Sequence, residues 1–132
     1  MDKEIHSAIN EYRTRLLESG INITKMILFG SHARSDARPD SDIDLLVISK
    51  NFDNMGLWDR LCLLGRMRVG IKKSMEILGL SDKELAEKTY GSFIKEEVIR
   101  NGVEITDKNF PALKTSPSHY AGGRSPLSTT RL

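Results

Sequence analysis

The stretch KMILFGSHARSDARPDSDIDLLVI, residues 25–48, decides the fold. Its two ends are short apolar runs typical of buried strands, and the segment between them is polar. The first run stops at Gly30, where the missing Cβ lets a ligand or another stretch of backbone approach closely. The order strand, Gly-Ser turn, polar excursion and second strand therefore predicts a strand-turn-strand unit with a binding site at the turn.

Ser31 follows this turn and is predicted to be the N-cap of a short helix. The first amides of such a helix are unpaired, and the positive end of its dipole points outward. An anion is favoured at that position, so Gly30 and Ser31 are candidate phosphate-binding residues.

Two acidic residues open the second strand. The strand period of two places Asp42 and Asp44 on one face, with Ile43 between them on the other. Two carboxylates at this spacing repel each other unless a cation lies between them, and Mg²⁺ prefers such oxygen ligands together with substrate phosphates. Either feature alone is typical of an ordinary turn or a solvated strand entry. Their conjunction in this order favours a nucleotide-handling site.

The ordered residues GSHARSDARPDSDIDLLV, 30–47, resemble the signature of the minimal nucleotidyltransferases of the DNA polymerase β superfamily. Their spacing is also similar to that of the MntA-type antitoxins of HEPN/MNT toxin–antitoxin pairs. The resemblance covers about residues 1–106 and implies a polymerase β-like nucleotidyltransferase fold.

The resemblance also implies roles for individual residues. Asp42 and Asp44 would ligate Mg²⁺, with two ions expected, and Gly30 and Ser31 would contact the β and γ phosphates of ATP, the substrate. Arg34 is expected either to contact phosphate or to have a solvated surface role.

A third acidic residue is expected on a neighbouring strand, and Glu76 within Met75–Leu80 occupies that place. It would join the second metal and activate the acceptor hydroxyl for attack on the α-phosphorus. Asp is more common there in the family, and the Glu of this chain is longer by one methylene. The alternative is that Glu76 faces solvent at a strand start.

The remaining pattern predicts a small α/β (α+β) domain, with a mixed sheet of three to four strands flanked by helices. Helices are predicted over 3–18, 56–69, 81–88 and 92–100, and strands over 25–29, 43–48 and 75–80, with a last extended piece at 103–105. The helix over 56–69 presents Leu57, Leu61, Leu64 and Arg68. Ser81 and Glu84 have capping-box spacing.

Composition agrees with one domain in a chain of 132 residues, of which 29% are charged and 39% hydrophobic. No apolar stretch is long enough for a membrane span, and no signal-peptide pattern is present, so a cytoplasmic location is expected. Residues 1–106 are predicted to be the catalytic domain. Residues 107–132 are rich in Pro, Ser and Gly, with four basic residues against one acidic residue, and are predicted to be a disordered basic tail.

The net charge of +2 therefore arises in the tail, and a nearly neutral domain does not indicate direct nucleic-acid binding.

The small size of the chain leaves little room for an acceptor-binding domain. The first hypothesis is an enzyme that transfers AMP from ATP to a tyrosine hydroxyl of a HEPN ribonuclease toxin, its partner in a hetero-oligomer. The alternatives are an antitoxin that acts by occlusion without catalysis, and an adenylyltransferase for a small molecule such as an aminoglycoside. The latter would require a helical domain from a partner or a homo-oligomer.

Overall fold

The computed structural model of the protein describes residues 3–110. The helices are α1 (Lys3–Glu18), α2 (Ser31–Arg34), α3 (Leu57–Met67) and α4 (Asp82–Glu87), with a 3₁₀ helix at Lys50–Asn54 and a π-helix at Ile94–Arg100. The strands are β1 (Lys25–Phe29), β2 (Ile43–Ser49), β3 (Met75–Ser81) and β4 (Val103–Glu104). These bounds agree closely with the predicted elements.

The strands form one mixed sheet in the order β3-β2-β1-β4. β1 is antiparallel to both β2 and β4, while β2 and β3 are parallel. The predicted fold class, a small mixed sheet flanked by helices, is therefore confirmed. The register places Asp44 opposite Phe29 on one side and opposite Glu76 on the other.

Both faces of the two central strands are buried, which explains their continuous apolar sequence. One face packs against α1 and α3 and contains Leu28, Leu45 and Val47. The other contains Phe29 and Leu46, and it packs against the π-helix and residues of α4. The even-numbered residues of β2, Asp44 among them, lie on this second face.

Helix α3 departs from the expected packing. Leu64 is fully buried, but Leu57 and Leu61 are 66% and 43% exposed. Arg60 points inward instead and is only 4% exposed. Because its guanidinium bonds to backbone carbonyls and to Glu84, the helix is anchored by a cation as well as by leucine side chains.

Packing continues beyond residue 106, where the predicted domain ends. Phe110 is 2% exposed, and its ring stacks on His6 at 4.5 Å between centroids. The predicted disorder of the tail concerns mainly residues 111–132, which lie outside the described residues, so it stays a prediction. Within residues 3–110, no helix combines the length and the apolar character that a bilayer span requires.

Candidate functional site

The sheet brings two of the predicted acidic residues onto one face, with the third beside them. Asp44 and Glu76 are direct neighbours across the parallel pair β2 and β3. Asp42 lies just before the first residue of β2, and its charge acts on Asp44. Asp42 and Glu76 are exposed, whereas Asp44 is half-buried. The predicted carboxylate set is thus assembled by two adjacent strands.

The surroundings of Asp44 raise its pKa. Partial burial is the main cause that raises its pKa to about 6, and the nearby charges of Glu76 and Asp42 raise it further. His32 and Arg34 act in the opposite direction but do not compensate. The three carboxylates therefore form a site of mutual repulsion, which a bound cation would relieve.

Gly30 holds the turn against this carboxylate. Its backbone has φ 75° and ψ −157°, a combination almost restricted to glycine. A Cβ built on Gly30 would lie 2.1 Å from Oδ2 of Asp44. The close approach that the sequence predicts at Gly30 is therefore made, within this chain, to Asp44.

Helix α2 starts directly from that turn. Its N-cap is Gly30, with no side-chain cap, so the prediction that Ser31 is the N-cap is wrong by one residue. Ser31 is the first helical residue, and the carbonyl of Gly30 accepts hydrogen bonds from the amides of Ala33 and Arg34, each at 3.1 Å. The first amides of a helix have no partner inside it, so a phosphate on this turn could accept from them.

Two basic side chains of α2 lie near the carboxylates. Arg34 is exposed and pairs with Asp36 at 3.2 Å. His32 is half-buried, and its Nε2 lies 3.3 Å from the carbonyl oxygen of Ser41, on the segment that leads into β2. The family pattern, in which this position varies, predicts that His32 is a surface residue and not a base. The structure places it half-buried, where its charge lowers the pKa of Asp44.

A cavity of about 360 Å³ opens at the edge of the sheet beside the carboxylates. It is lined by residues of α3 and β3 and of the segments before β2 and β3: Asp42, Leu61, Gly65, Arg68, Ser74, Met75, Glu76 and Ile77. Leu61 belongs to an exposed apolar stripe on α3, together with Leu57 and Trp58, which is 73% exposed. The cavity thus joins the acidic side chains to an open hydrophobic surface.

The donors suit a hard divalent cation, because all three are carboxylates. Gly30 also lets the turn approach Asp44 more closely than a residue with a Cβ could. In residues 3–110, however, no three His, Cys, Asp or Glu side chains already converge as a metal cluster. Binding Mg²⁺ would therefore require Asp42 and Glu76, which are exposed, to turn toward Asp44.

The chain matches the family model described as nucleotidyltransferase domain over residues 9–115. No curated protein sequence matches it significantly. The matched range includes the Gly-Ser turn, the three carboxylates and the ordered residues beyond 106.

The solved structures to which this chain is similar are distant from it in sequence. A putative nucleotidyltransferase from Sulfolobus solfataricus shares 23% identity over 79% of this chain and 86% of its own, with a TM-score of 0.48. A toxin–antitoxin structure with AMP-PNP shares 19% identity over 86% and 87% of the two chains, with a TM-score of 0.47. A mutant of the toxin–antitoxin MntA-HpeT shares 16% identity over 86% of each chain, with a TM-score of 0.48.

Proposed function

Since this chain belongs to the nucleotidyltransferase domain family, we propose that it is a Mg²⁺-dependent enzyme that transfers AMP from ATP to a tyrosine hydroxyl of a HEPN ribonuclease toxin, for which it is the antitoxin. The observation that carries the catalytic part is the pairing of Asp44 with Glu76 across β2 and β3, beside the Gly30 turn. This arrangement joins an acidic cluster to a place where phosphates can approach.

Each residue has a distinct part in the proposed reaction. The Gly30–Ser31 turn holds the β and γ phosphates through backbone amides, and Arg34 leaves Asp36 to neutralise charge on the triphosphate. Asp42, Asp44 and Glu76 would supply the carboxylate oxygens that hold Mg²⁺. Bound Mg²⁺ would neutralise the charge that develops on the attacking and leaving oxygens.

Glu76 has a second proposed task. It is exposed at the cavity and, by its place next to Asp44, can accept the proton of an acceptor hydroxyl directly or through one water. The hydroxyl oxygen then bonds to the α-phosphorus, and the bond to pyrophosphate breaks. The products are an adenylylated acceptor and pyrophosphate.

A protein acceptor is supported by the surface around the cavity. The stripe Leu57, Trp58 and Leu61 is apolar and exposed, and Leu61 also lines the cavity with Asp42 and Glu76. Exposed apolar patches are one mark of a protein interaction site. The identity of the partner as a HEPN toxin rests on the motif resemblance to MntA-type antitoxins.

The test is to mix the protein with ATP, Mg²⁺ and a HEPN ribonuclease encoded beside it, and to measure the intact mass of the ribonuclease. We expect the mass of an adenylyl group on a tyrosine and a parallel loss of ribonuclease activity. The double variant Asp42→Ala/Asp44→Ala should abolish both effects. Asp40→Ala is the matched control, because this exposed carboxylate lies in the same loop.

A second candidate function is an antitoxin that neutralises its partner by occlusion. One observation favours it: residue 76 is the longer Glu in place of the more common Asp. Neutralisation by Asp42→Ala/Asp44→Ala equal to that of the original protein, with no mass added to the ribonuclease, would support occlusion and exclude the transferase.

A further inference from the structure

The exposed ring of Phe93 lies next to the strand end that carries the carboxylates. Phe93 directly precedes the π-helix and is 55% exposed, although it is a large apolar side chain. Its ring meets that of Phe29 edge to face, with 6.0 Å between centroids and 80° between planes. Phe29 is only 4% exposed. The contact with Phe29 thus leaves more than half of Phe93 open to a ligand.

Phe29 connects Phe93 to the proposed site in two ways. It pairs with Asp44 across β1 and β2, so the two side chains lie on the same face of the sheet. It also directly precedes Gly30, where the phosphates of a nucleotide would lie. A nucleotide whose phosphates occupy the Gly30–Ser31 turn therefore has an aromatic surface within the span of one nucleoside.

The other exposed aromatic ring near the site is on the opposite layer. Trp58 belongs to α3, which packs on the face that contains Leu45 and Val47. Asp44, Glu76 and Phe29 are on the face that the π-helix covers. Asp44 and Glu76 therefore share their face of the sheet with the Phe29–Phe93 contact and not with Trp58. A ligand bound to these carboxylates lies on the side of the sheet where Phe93 is exposed.

Resting on the proposed function, we infer that Phe93 is the stacking surface for the nucleobase of the bound nucleoside triphosphate. The ring would pack flat on the base while its edge contact with Phe29 fixes its position. Stacking on an aromatic ring contributes to binding without reading base edges. Phe93 would therefore raise affinity for all nucleoside triphosphates over inorganic polyphosphate.

The test compares two probes, ATP and inorganic tripolyphosphate, by calorimetry in the presence of Mg²⁺. Phe93→Ala should weaken ATP binding about tenfold and leave tripolyphosphate binding unchanged. Phe93→Tyr, which keeps the ring, should bind ATP like the original protein, whereas Phe93→Leu should resemble Phe93→Ala. The matched control is Ile99→Ala, an exposed apolar residue of the π-helix that Phe93 precedes.

Three outcomes would overturn the inference: equal ATP affinity in Phe93→Leu and Phe93→Tyr, an equal loss for ATP and tripolyphosphate in Phe93→Leu, or a loss of ATP affinity in Trp58→Ala instead. If Phe93→Ala does not fold, the comparison of Phe93→Leu with Phe93→Tyr decides. Failure of the proposed function looks different, because the original protein would then bind neither probe.

Discussion

Gly30 and Asp44 are in such close contact that a Cβ on Gly30 would lie 2.1 Å from Oδ2 of Asp44. The turn and the carboxylate therefore form one unit, in which the backbone of Gly30 occupies the space beside the acidic side chain. Real Cβ atoms do not tolerate such a distance, so any side chain at position 30 must displace either the turn or Asp44.

We expect Gly30→Ala to destabilise the protein by about 3 kcal/mol, because the φ of 75° with ψ −157° is strained for alanine and the Cβ also clashes. Gly20→Ala is the matched control. Gly20 has φ 85°, but nothing lies within 4 Å of its Cβ position, so only strain of about 1 kcal/mol applies. Urea unfolding measures the loss of stability in both variants.

The contact itself can be isolated from the strain by repeating Gly30→Ala in the Asp44→Ala background. There the cost should fall toward that of Gly20→Ala, since the carboxylate has gone. Equal costs of Gly30→Ala in the two backgrounds would contradict the proposed contact.

Asp44→Asn should stabilise the protein at neutral pH when no divalent cation is present. The pKa of Asp44 is raised from 3.8 to about 6, so the folded state binds this proton more tightly than the unfolded chain. Stability from this group is fully present below pH 3.8 and is lost as pH rises through 6. After a discount for solvent exposure, we expect the ionised carboxylate of Asp44 to lower the free energy of unfolding by about 1 kcal/mol at neutral pH.

Thermal unfolding across pH 4–8 measures this effect. The Tm of Asp44→Asn should exceed that of the original protein by about 4 °C above pH 6, and the difference should disappear toward pH 4. Asp40→Asn, an exposed carboxylate of the loop that leads into β2, is the control. A pH-independent difference for Asp44→Asn would show that shape, not charge, is responsible.

The strands and helices could be predicted because each apolar run ends at a clear polar or glycine signal, as β1 does at Gly30. The pairing of Asp44 with Glu76 was only implied by family resemblance, because the register of a parallel pair depends on tertiary packing. Arg60 and Phe110 were not predicted as buried residues, for a similar reason. A helical arginine and a phenylalanine beside a polar tail show their burial only when distant elements pack on them.

Glu76 can be tested by two replacements that differ in charge and length. If Glu76 accepts the acceptor proton, Glu76→Gln should lower the transfer rate about 100-fold, since a positioned base contributes about 10²–10⁴. Glu76→Asp should retain most of the rate. Glu97→Gln, an exposed carboxylate on the π-helix, is the control.

The readout is the initial rate of adenylylation of the partner, with ATP affinity measured in parallel. Loss of rate with little change in ATP affinity would support a role in the chemical step. Equal rates in Glu76→Gln and the original protein would leave Glu76 as a solvent-facing residue of β3.

Among the ion pairs of residues 3–110, the pair of Arg60 with Glu84 is expected to contribute most to stability. Nη1 of Arg60 lies 2.8 Å from Oε1 of Glu84 and 3.1 Å from the carbonyl oxygen of Gly79. Its Nη2 donates to the carbonyls of Phe52 and Met55. Burial raises the pKa of Glu84, but hydrogen bonds from Ser81 and Arg60 outweigh it and hold the pKa below its ordinary value.

The matched control is the pair of Arg100 with Glu96, which has the same 2.8 Å distance. The side chain of Arg60 is 5% exposed, whereas that of Arg100 is 67% exposed. Arg60→Met should therefore cost about 3 kcal/mol in urea unfolding, because three carbonyls and Glu84 lose their donor. Arg100→Met should cost less than about 0.5 kcal/mol, because water replaces the lost contact.

The pH dependence of Glu84→Gln separates charge from shape at the same site. Since the pKa of Glu84 is lowered in the folded state, its contribution is present above its ordinary value of 4.5 and is lost as pH falls through the lowered pKa. Glu84→Gln should thus be destabilising at pH 7, and the difference should shrink in acid. A difference that stays constant down to pH 3 would mean that the capping hydrogen bonds of Glu84 at the start of α4, not its charge, account for its contribution to stability.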